Sequence, residues 1–236
     1  MKYLGKPAGM WALFAGSFEK HLTVEFDLTA GQAKDVAARA KKKYREIIAK
    51  LPEFDRRDRF EMNIVNCAML AAFILCMPQR PDIKTLTDYY AAAMMTPTMK
   101  AFCRASGKKK FTPKDIEGMK ATAKLRAGDR NPYSWNMDFF EYEDGSGYEA
   151  RFTTCGICTL MQVLGLYDLT PALCHLDYTM SDAGGASDFV REYTLASGGP
   201  YCDCGYHKKQ RKNKKDASFD ASFFLYVGDS IFVVGI

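Results

Sequence analysis

The chain has 236 residues, of which 47% are apolar and 26% charged, and this composition is typical of a globular protein with a sizeable hydrophobic core. No stretch reaches the roughly 18 uninterrupted apolar residues of a membrane span. The apolar segment near the N-terminus is short and interrupted by glycine, unlike a signal peptide. We therefore expect a cytoplasmic protein that does not span a membrane.

The positive charge of the chain is concentrated near its C-terminus. The formal net charge is +5, and six cations lie in one run: Lys208, Lys209, Arg211, Lys212, Lys214 and Lys215. Without that run the chain is close to neutral, and a single run of like charges is usually a solvated segment. We therefore do not expect nucleic acid as a partner.

Segment 1–130 is predicted to be helical. Thr29 and Gln32 have the spacing of a capping box, and apolar residues then recur along one face of the following segment. The next segment is apolar almost all round, which is typical of a buried helix. Asp82 is expected to cap a third helix that runs toward Phe102.

Segment 131–211 is predicted to combine strands with short helices. The turn residues from Asp144 to Gly147 lie between two aromatic, alternating segments, a pattern that indicates a β-hairpin. Two short helices are expected at 155–165 and 170–184. A second antiparallel pair of strands is expected at 189–197 and 202–209.

The predicted fold class follows from this order of elements. We expect an α+β fold in which an N-terminal helical layer packs on a small antiparallel sheet. Segments 1–130 and 131–211 are interpreted as one integrated domain, with the catalytic part in the second. Segment 212–236 is interpreted as a basic linker and an apolar tail of unknown role.

Eight cysteines distinguish the composition, and in a reducing compartment we expect them to be thiols. Cys67, Cys76 and Cys103 lie in apolar helical patterns, where a cysteine behaves as a small buried hydrophobe. The other five fall within fifty residues of one another: Cys155, Cys158, Cys174, Cys202 and Cys204. This second group is the candidate functional one.

Three interpretations of these thiols remain open. Cys155, Cys158, Cys202 and Cys204 have the chemistry of a four-thiolate zinc site, so zinc is a candidate cofactor, although no cofactor is certain. A redox pair is the second interpretation, and packed thiols around a pocket are the third. In a strand, Cys202 and Cys204 point to one face and Asp203 to the other.

A second constellation surrounds one of the three histidines. Cys174, His175 and Asp177 place a thiol, an imidazole and a carboxylate on a single helical turn. These are the groups that nucleophilic and acid–base catalysis use, so His175 is a candidate base.

The segment "TTCGICTLMQVLGLYDLTPALCHLDYTMSDAGGASDFVREYTLASGGPYCDCGYHKK" resembles the L-2-amino-thiazoline-4-carboxylic acid hydrolase family. The resemblance covers roughly 130–209 and is carried by these positions: Cys155, Gly165-Leu166, Cys174 with Asp177, Thr194-Leu195-Ala196, Gly198-Gly199 and Cys202-Asp203. Cys204 stands where the family has an aromatic residue, and Cys158 is a further local difference.

The resemblance implies a hydrolase that adds water to the amidine-like carbon of a small cyclic substrate and opens its ring. It implies Cys155 or Cys174 as nucleophile, with Cys202 in the same site. Asp177 and Asp203 are then the candidate acid–base groups. A metal held by the cysteines is the alternative means of activating water.

Two arginines flank the cysteine-rich segment and complete the set of candidates. Arg151 and Arg191 are expected on strands, from which a guanidinium is able to clamp a substrate carboxylate. The partner implied is a small-molecule substrate, and a homo-oligomer stays open. A non-catalytic small-molecule or metal sensor on the same scaffold is the rival interpretation.

Overall fold

The structure is a computed structural model, and it describes residues 7–209. Within these residues the helices are α1 (Pro7–Glu25), α2 (Ala30–Lys50), α3 (Glu61–Cys76), α4 (Ile83–Met94), α5 (Pro97–Gly107), α6 (Pro113–Arg126), α7 (Gly156–Val163), α8 (Thr170–Cys174) and α9 (Leu176–Gly184). The strands are β1 (Asp138–Glu141), β2 (Gly147–Phe152), β3 (Ser187–Val190) and β4 (Cys202–Lys208). The expectation for segment 212–236 lies outside the described residues.

The strands of this part of the chain form one antiparallel sheet in the order β1-β2-β4-β3. β4 lies at its centre, pairing with β2 from Gly147↔His207 to Phe152↔Cys202. On β4, Cys202, Cys204 and Tyr206 are buried, because alternate residues of a strand face the same side. Helices pack on that inner side, so the α+β prediction is confirmed.

α3 lies at the centre of the helical layer. Its sequence is apolar nearly all round, and most of its residues are buried against α2, α1 and α7. The capping box of Thr29 and Gln32 is present at the start of α2, and Asp82 caps α4, as predicted. α1 was not predicted, although it buries Met10 and Phe14 one turn apart.

Three boundaries differ from the prediction for local reasons. The third helix ends at Met94, because Thr96 accepts a hydrogen bond from the Met99 N–H and caps a separate helix, α5. The helix expected at 170–184 divides into α8 and α9 at His175. β3 ends at Val190, so that most of segment 189–197 lies outside the strand.

The described residues include no helix that is both long and apolar enough to cross a membrane.

Candidate active site

Five cysteines come together beneath the sheet, and we call Cys67, Cys155, Cys174, Cys202 and Cys204 the thiol cluster. β4 contributes two of them, and the others come from α3, the start of α7 and the end of α8. Electrostatic interactions link Cys67 to Cys155 and Cys174, and Cys174 to Cys202. None of the five is more than 6% exposed.

The thiol cluster is neutral near pH 7, because burial disfavours thiolates. Burial raises the pKa of Cys202 to about 11, although the Leu195 N–H donates to its Sγ at 3.3 Å and opposes the shift. Burial also raises the pKa of Cys174 and Cys204. A hydrogen bond with Cys158, together with burial, raises the pKa of Cys155, so this thiol lacks the lowered pKa of an activated nucleophile.

A buried ion pair adjoins the thiol cluster. Arg191 Nη1 lies 2.7 Å from Asp177 Oδ2, and the two side chains are 4% and 7% exposed. Arg191 Nη2 donates to the Cys174 carbonyl oxygen at 2.5 Å, and its Nη1 lies 3.9 Å from Cys204 Sγ. Burial by itself would lower the pKa of Arg191. Asp177 and the nearby thiols raise that pKa by more than burial lowers it, so the guanidinium keeps its charge.

A cleft of about 230 Å³ opens beside this ion pair. Its walls come from the α8–α9 junction and from the segment after β3, and it is lined by Pro171, Cys174, His175, Tyr178, Arg191, Glu192, Thr194 and Ser197. The exposed His175 ring packs against Tyr178, with centroids 5.3 Å apart. The structure therefore brings Cys174, His175 and Arg191 to one cleft, with Asp177 behind the guanidinium.

Asp203 and Arg151 are not part of that cleft. They are register partners on the sheet face opposite the thiols. Asp203 accepts the backbone N–H groups of Glu192 and Tyr193 at 2.9 and 2.6 Å, so it holds the segment that forms a cleft wall. Arg151 binds Glu149 at 2.9 Å and lies over the Tyr201 ring. Asp203 therefore contacts the cleft wall from the far face of the sheet, and Arg151 lies on that same face, opposite the thiols.

The cysteines proposed as zinc ligands are not arranged as a metal site within residues 7–209. No group of three or more His, Cys, Asp or Glu side chains in this range is arranged to hold a metal ion. Cys204 lies against Arg191, a cation that disfavours a bound metal ion at the same place.

Three members of the site were not found from the sequence. Cys67 belongs to the thiol cluster, but its neighbours in the sequence are apolar and predict only an ordinary core residue of α3. The Tyr90 hydroxyl donates to Asn66 Oδ1, and Tyr90 interacts with Cys67, Cys174 and Asp177. Lys110, within a run of three lysines, interacts with Asp177. Each reaches the site only through long-range packing, so no local signal marks it.

An α+β fold with a small cleft lined by a thiol, an imidazole and a guanidinium is typical of proteins that bind or convert small molecules. Residues 62–206 match the family model described as L-2-amino-thiazoline-4-carboxylic acid hydrolase. The match covers more than half of the chain and the whole cleft, so the chain belongs to this family. No curated protein and no solved structure matches the chain.

Proposed function

We propose that the protein is a hydrolase that opens the ring of a small cyclic amidine, with a 2-amino-thiazoline carboxylate as the leading substrate. The observation that carries this proposal is the single cleft that joins Cys174, His175 and Arg191 within the family-matched region. A volume of about 230 Å³ suits a single small ring with a carboxylate better than a polymer or a bulky cofactor.

The reaction adds one water molecule across the amidine carbon. The water oxygen bonds to the carbon between ring sulfur and ring nitrogen, and the tetrahedral adduct then collapses with cleavage of one ring bond. A proton passes to the departing heteroatom. Breaking carbon–sulfur yields an N-carbamoyl product with a free thiol, whereas breaking carbon–nitrogen yields an S-carbamoyl product with a free amine.

Arg191 supplies a fixed positive charge for the substrate carboxylate. A guanidinium has five N–H donors, and in Arg191 three of them point to Asp177 Oδ2, the Cys174 carbonyl oxygen and Cys204 Sγ. Donors therefore remain for a bound anion. Because the Asp177 contact orients the guanidinium before the substrate arrives, binding requires little reorganisation.

His175 is the group we assign to proton transfer. It is exposed and lines the cleft, whereas Asp177 is buried behind Arg191. Burial raises the pKa of Cys174, so direct attack by this thiol requires a base to take its proton, and His175 is adjacent. A water molecule activated by His175 avoids deprotonation of the Cys174 thiol, so this is the favoured route. Cys174 then forms part of the cleft wall.

A non-catalytic sensor of small anionic ligands is the second candidate function. The neutrality of the buried thiols is compatible with this candidate, because protonated cysteines are able to line a binding site without acting as nucleophiles. Tight binding of the ring compound without turnover would distinguish the sensor from the hydrolase.

The test is incubation of the purified protein with 2-amino-thiazoline-4-carboxylate, with ring loss followed by mass spectrometry and free thiol by a colorimetric reagent. We expect ring opening, and His175→Gln should lower kcat by about 100-fold, as loss of a general base does. His207→Gln is the matched control, because His207 stacks on Tyr142, outside the cleft, and should keep the rate. Absence of turnover by the unmodified protein across a panel of cyclic amidines would overturn the proposal.

A further inference from the structure

Lys110 lies within a group of aromatic rings, in the turn between α5 and α6. Its Nζ is 3.2 Å from the centroid of the Tyr206 ring, 5.4 Å from that of Tyr148 and 5.8 Å from that of Phe111. We call these three rings with Lys110 the lysine cage. An ammonium over aromatic faces gains cation–π attraction, but it loses most of its hydration.

The backbone is strained at Phe111, the residue that directly follows Lys110 in the turn. Phe111 has φ of 62°, a left-handed conformation that is a genuine outlier for a bulky residue. Its N–H donates to Asp115 Oδ2 at 2.8 Å, which holds the turn in this form. Strain of this kind persists only where the surroundings impose it, and it concentrates at functional sites.

A pair of contacting, tilted rings connects the lysine cage to the cleft. Tyr206 packs on Phe189 with centroids 5.0 Å apart, and the Arg191 guanidinium lies 5.0 Å from the Phe189 centroid. Lys110 and Arg191 thus lie against two rings that contact each other. Both interact electrostatically with Asp177 and with Cys204.

We infer that Lys110 is a positioning residue of the candidate active site, because it lies over Tyr206, two residues along β4 from the Cys204 that Arg191 contacts, and so places a second positive charge near the Asp177–Arg191 pair. Asp177 keeps Arg191 oriented toward the cleft through its 2.7 Å contact, and the Lys110 charge supports this arrangement. The consequence for catalysis rests on the proposed function, whereas the coupling of Lys110 to Asp177 does not.

The protonation of Lys110 gives this arrangement a pH dependence. Burial lowers its pKa to about 8, and Asp115, Asp177 and Cys204 oppose the shift. The phenols of Tyr148 and Tyr206 stay neutral, since burial raises the pKa of each.

Two other cations lie at the edge of the lysine cage. Lys208 Nζ is 5.7 Å from the Phe111 centroid, and Arg59 interacts with Asp115 and Tyr148. Because the pKa of Lys110 is lowered, its charge is present below about pH 8 and is lost above it. The positive charge of Lys110 near Asp177 is therefore lost above about pH 8.

The activity test compares three variants in the full chain. Lys110→Met should lower kcat/KM about tenfold at pH 7, since misorientation of a binding group costs this much or more. Lys110→Arg, whose guanidinium does not titrate, should restore the rate and move the alkaline fall in kcat/KM above about pH 9. Lys109→Met is the matched control, because the Lys109 side chain is exposed. Identical rates and pH profiles for Lys110→Met and Lys109→Met would overturn the inference.

A second measurement decides the inference without activity. The carboxyl ¹³C resonance of Asp177, followed by NMR across pH 6 to 10, should show an inflection near pH 8 in the unmodified protein and in Lys109→Met. The inflection should vanish in Lys110→Met, whose fold is checked by circular dichroism. An inflection that persists in Lys110→Met, or its absence from the unmodified protein, would contradict the coupling. If no ring opens while the inflection behaves as expected, the proposed function fails and the Lys110 inference stands.

Discussion

At the scale of single residues, the Asp177–Arg191 ion pair governs the electrostatics of the cleft. Both side chains are nearly fully buried, so the loss of either one removes the direct ion-pair partner of a charge in a medium of low dielectric constant. The Arg80–Asp168 pair has a similar contact distance, 2.5 Å, but its side chains are 50% and 64% exposed. Comparing these two pairs separates the effect of burial from that of charge.

We expect Arg191→Met to reduce the free energy of unfolding by about 3 kcal/mol, because it removes the direct ion-pair partner of the buried Asp177 carboxylate. Arg80→Met should cost less than about 1 kcal/mol, since water screens the exposed pair. Urea unfolding followed by circular dichroism at pH 7 measures both values. Equal effects of the two substitutions would contradict the assigned role of burial.

At the scale of elements, the pairing of β2 with β4 builds the floor of the site. This pairing sets the alternation that turns Cys202 and Cys204 inward and Asp203 outward. The outward Asp203 then holds the Glu192–Tyr193 backbone, so one strand contributes both to the thiol cluster and to the support of the cleft wall. The close approach of the two strands depends on a glycine in β2.

Gly147→Ala should disrupt this strand pair. A Cβ at Gly147 would lie 1.9 Å from the Tyr206 carbonyl oxygen, and a backbone atom in a paired strand has little freedom to move away. We expect a loss of more than about 2 kcal/mol in the free energy of unfolding, as for severe overpacking. Gly118→Ala, on α6, is the control, since open space surrounds its Cβ position and alanine favours the helix by up to about 1 kcal/mol. Thermal unfolding of both variants gives the comparison, and a neutral Gly147→Ala would contradict the strand geometry.

At the scale of the whole molecule, the family match and the last strand of the sheet end within two residues of each other in the sequence. The match ends at residue 206, and β4 ends at Lys208. The Lys209 N–H donates to the Ala186 carbonyl oxygen at 3.0 Å, so the pairing beside β3 is complete at that residue. The match also begins at residue 62, within α3, so it includes most of α3, all later described helices and most of the sheet, whereas α1 and α2 precede it.

A chain that ends after Lys209 should therefore keep its fold and its ring-opening activity. We expect Tm to change by less than about 3 °C, because the lining of the cleft and the four described strands all lie within residues 7–209. Calorimetry and the ring-opening assay measure the two quantities. Loss of activity in a truncated chain that still unfolds cooperatively would show that segment 210–236 belongs to the site.

Local chemistry was enough to predict much of the fold and part of the site. The capping box at Thr29, the cap at Asp82 and the opposite faces of Cys202 and Asp203 follow from rules that act within a few residues. The same rules missed α1, whose glycine-broken sequence lacks a capping signal, and continued a helix past Thr96, where a competing cap begins a new one.

By itself, the sequence determined the α+β class, the family and the proximity of Cys174, His175 and Asp177 along one helical segment, because each of these depends on neighbours in the chain. Only the tertiary structure decided that Arg191 pairs with Asp177, that Arg151 faces the other side of the sheet, and that Lys110 lies over the Tyr206 ring. These contacts join residues far apart in sequence, and their energies depend on burial, which local patterns do not encode.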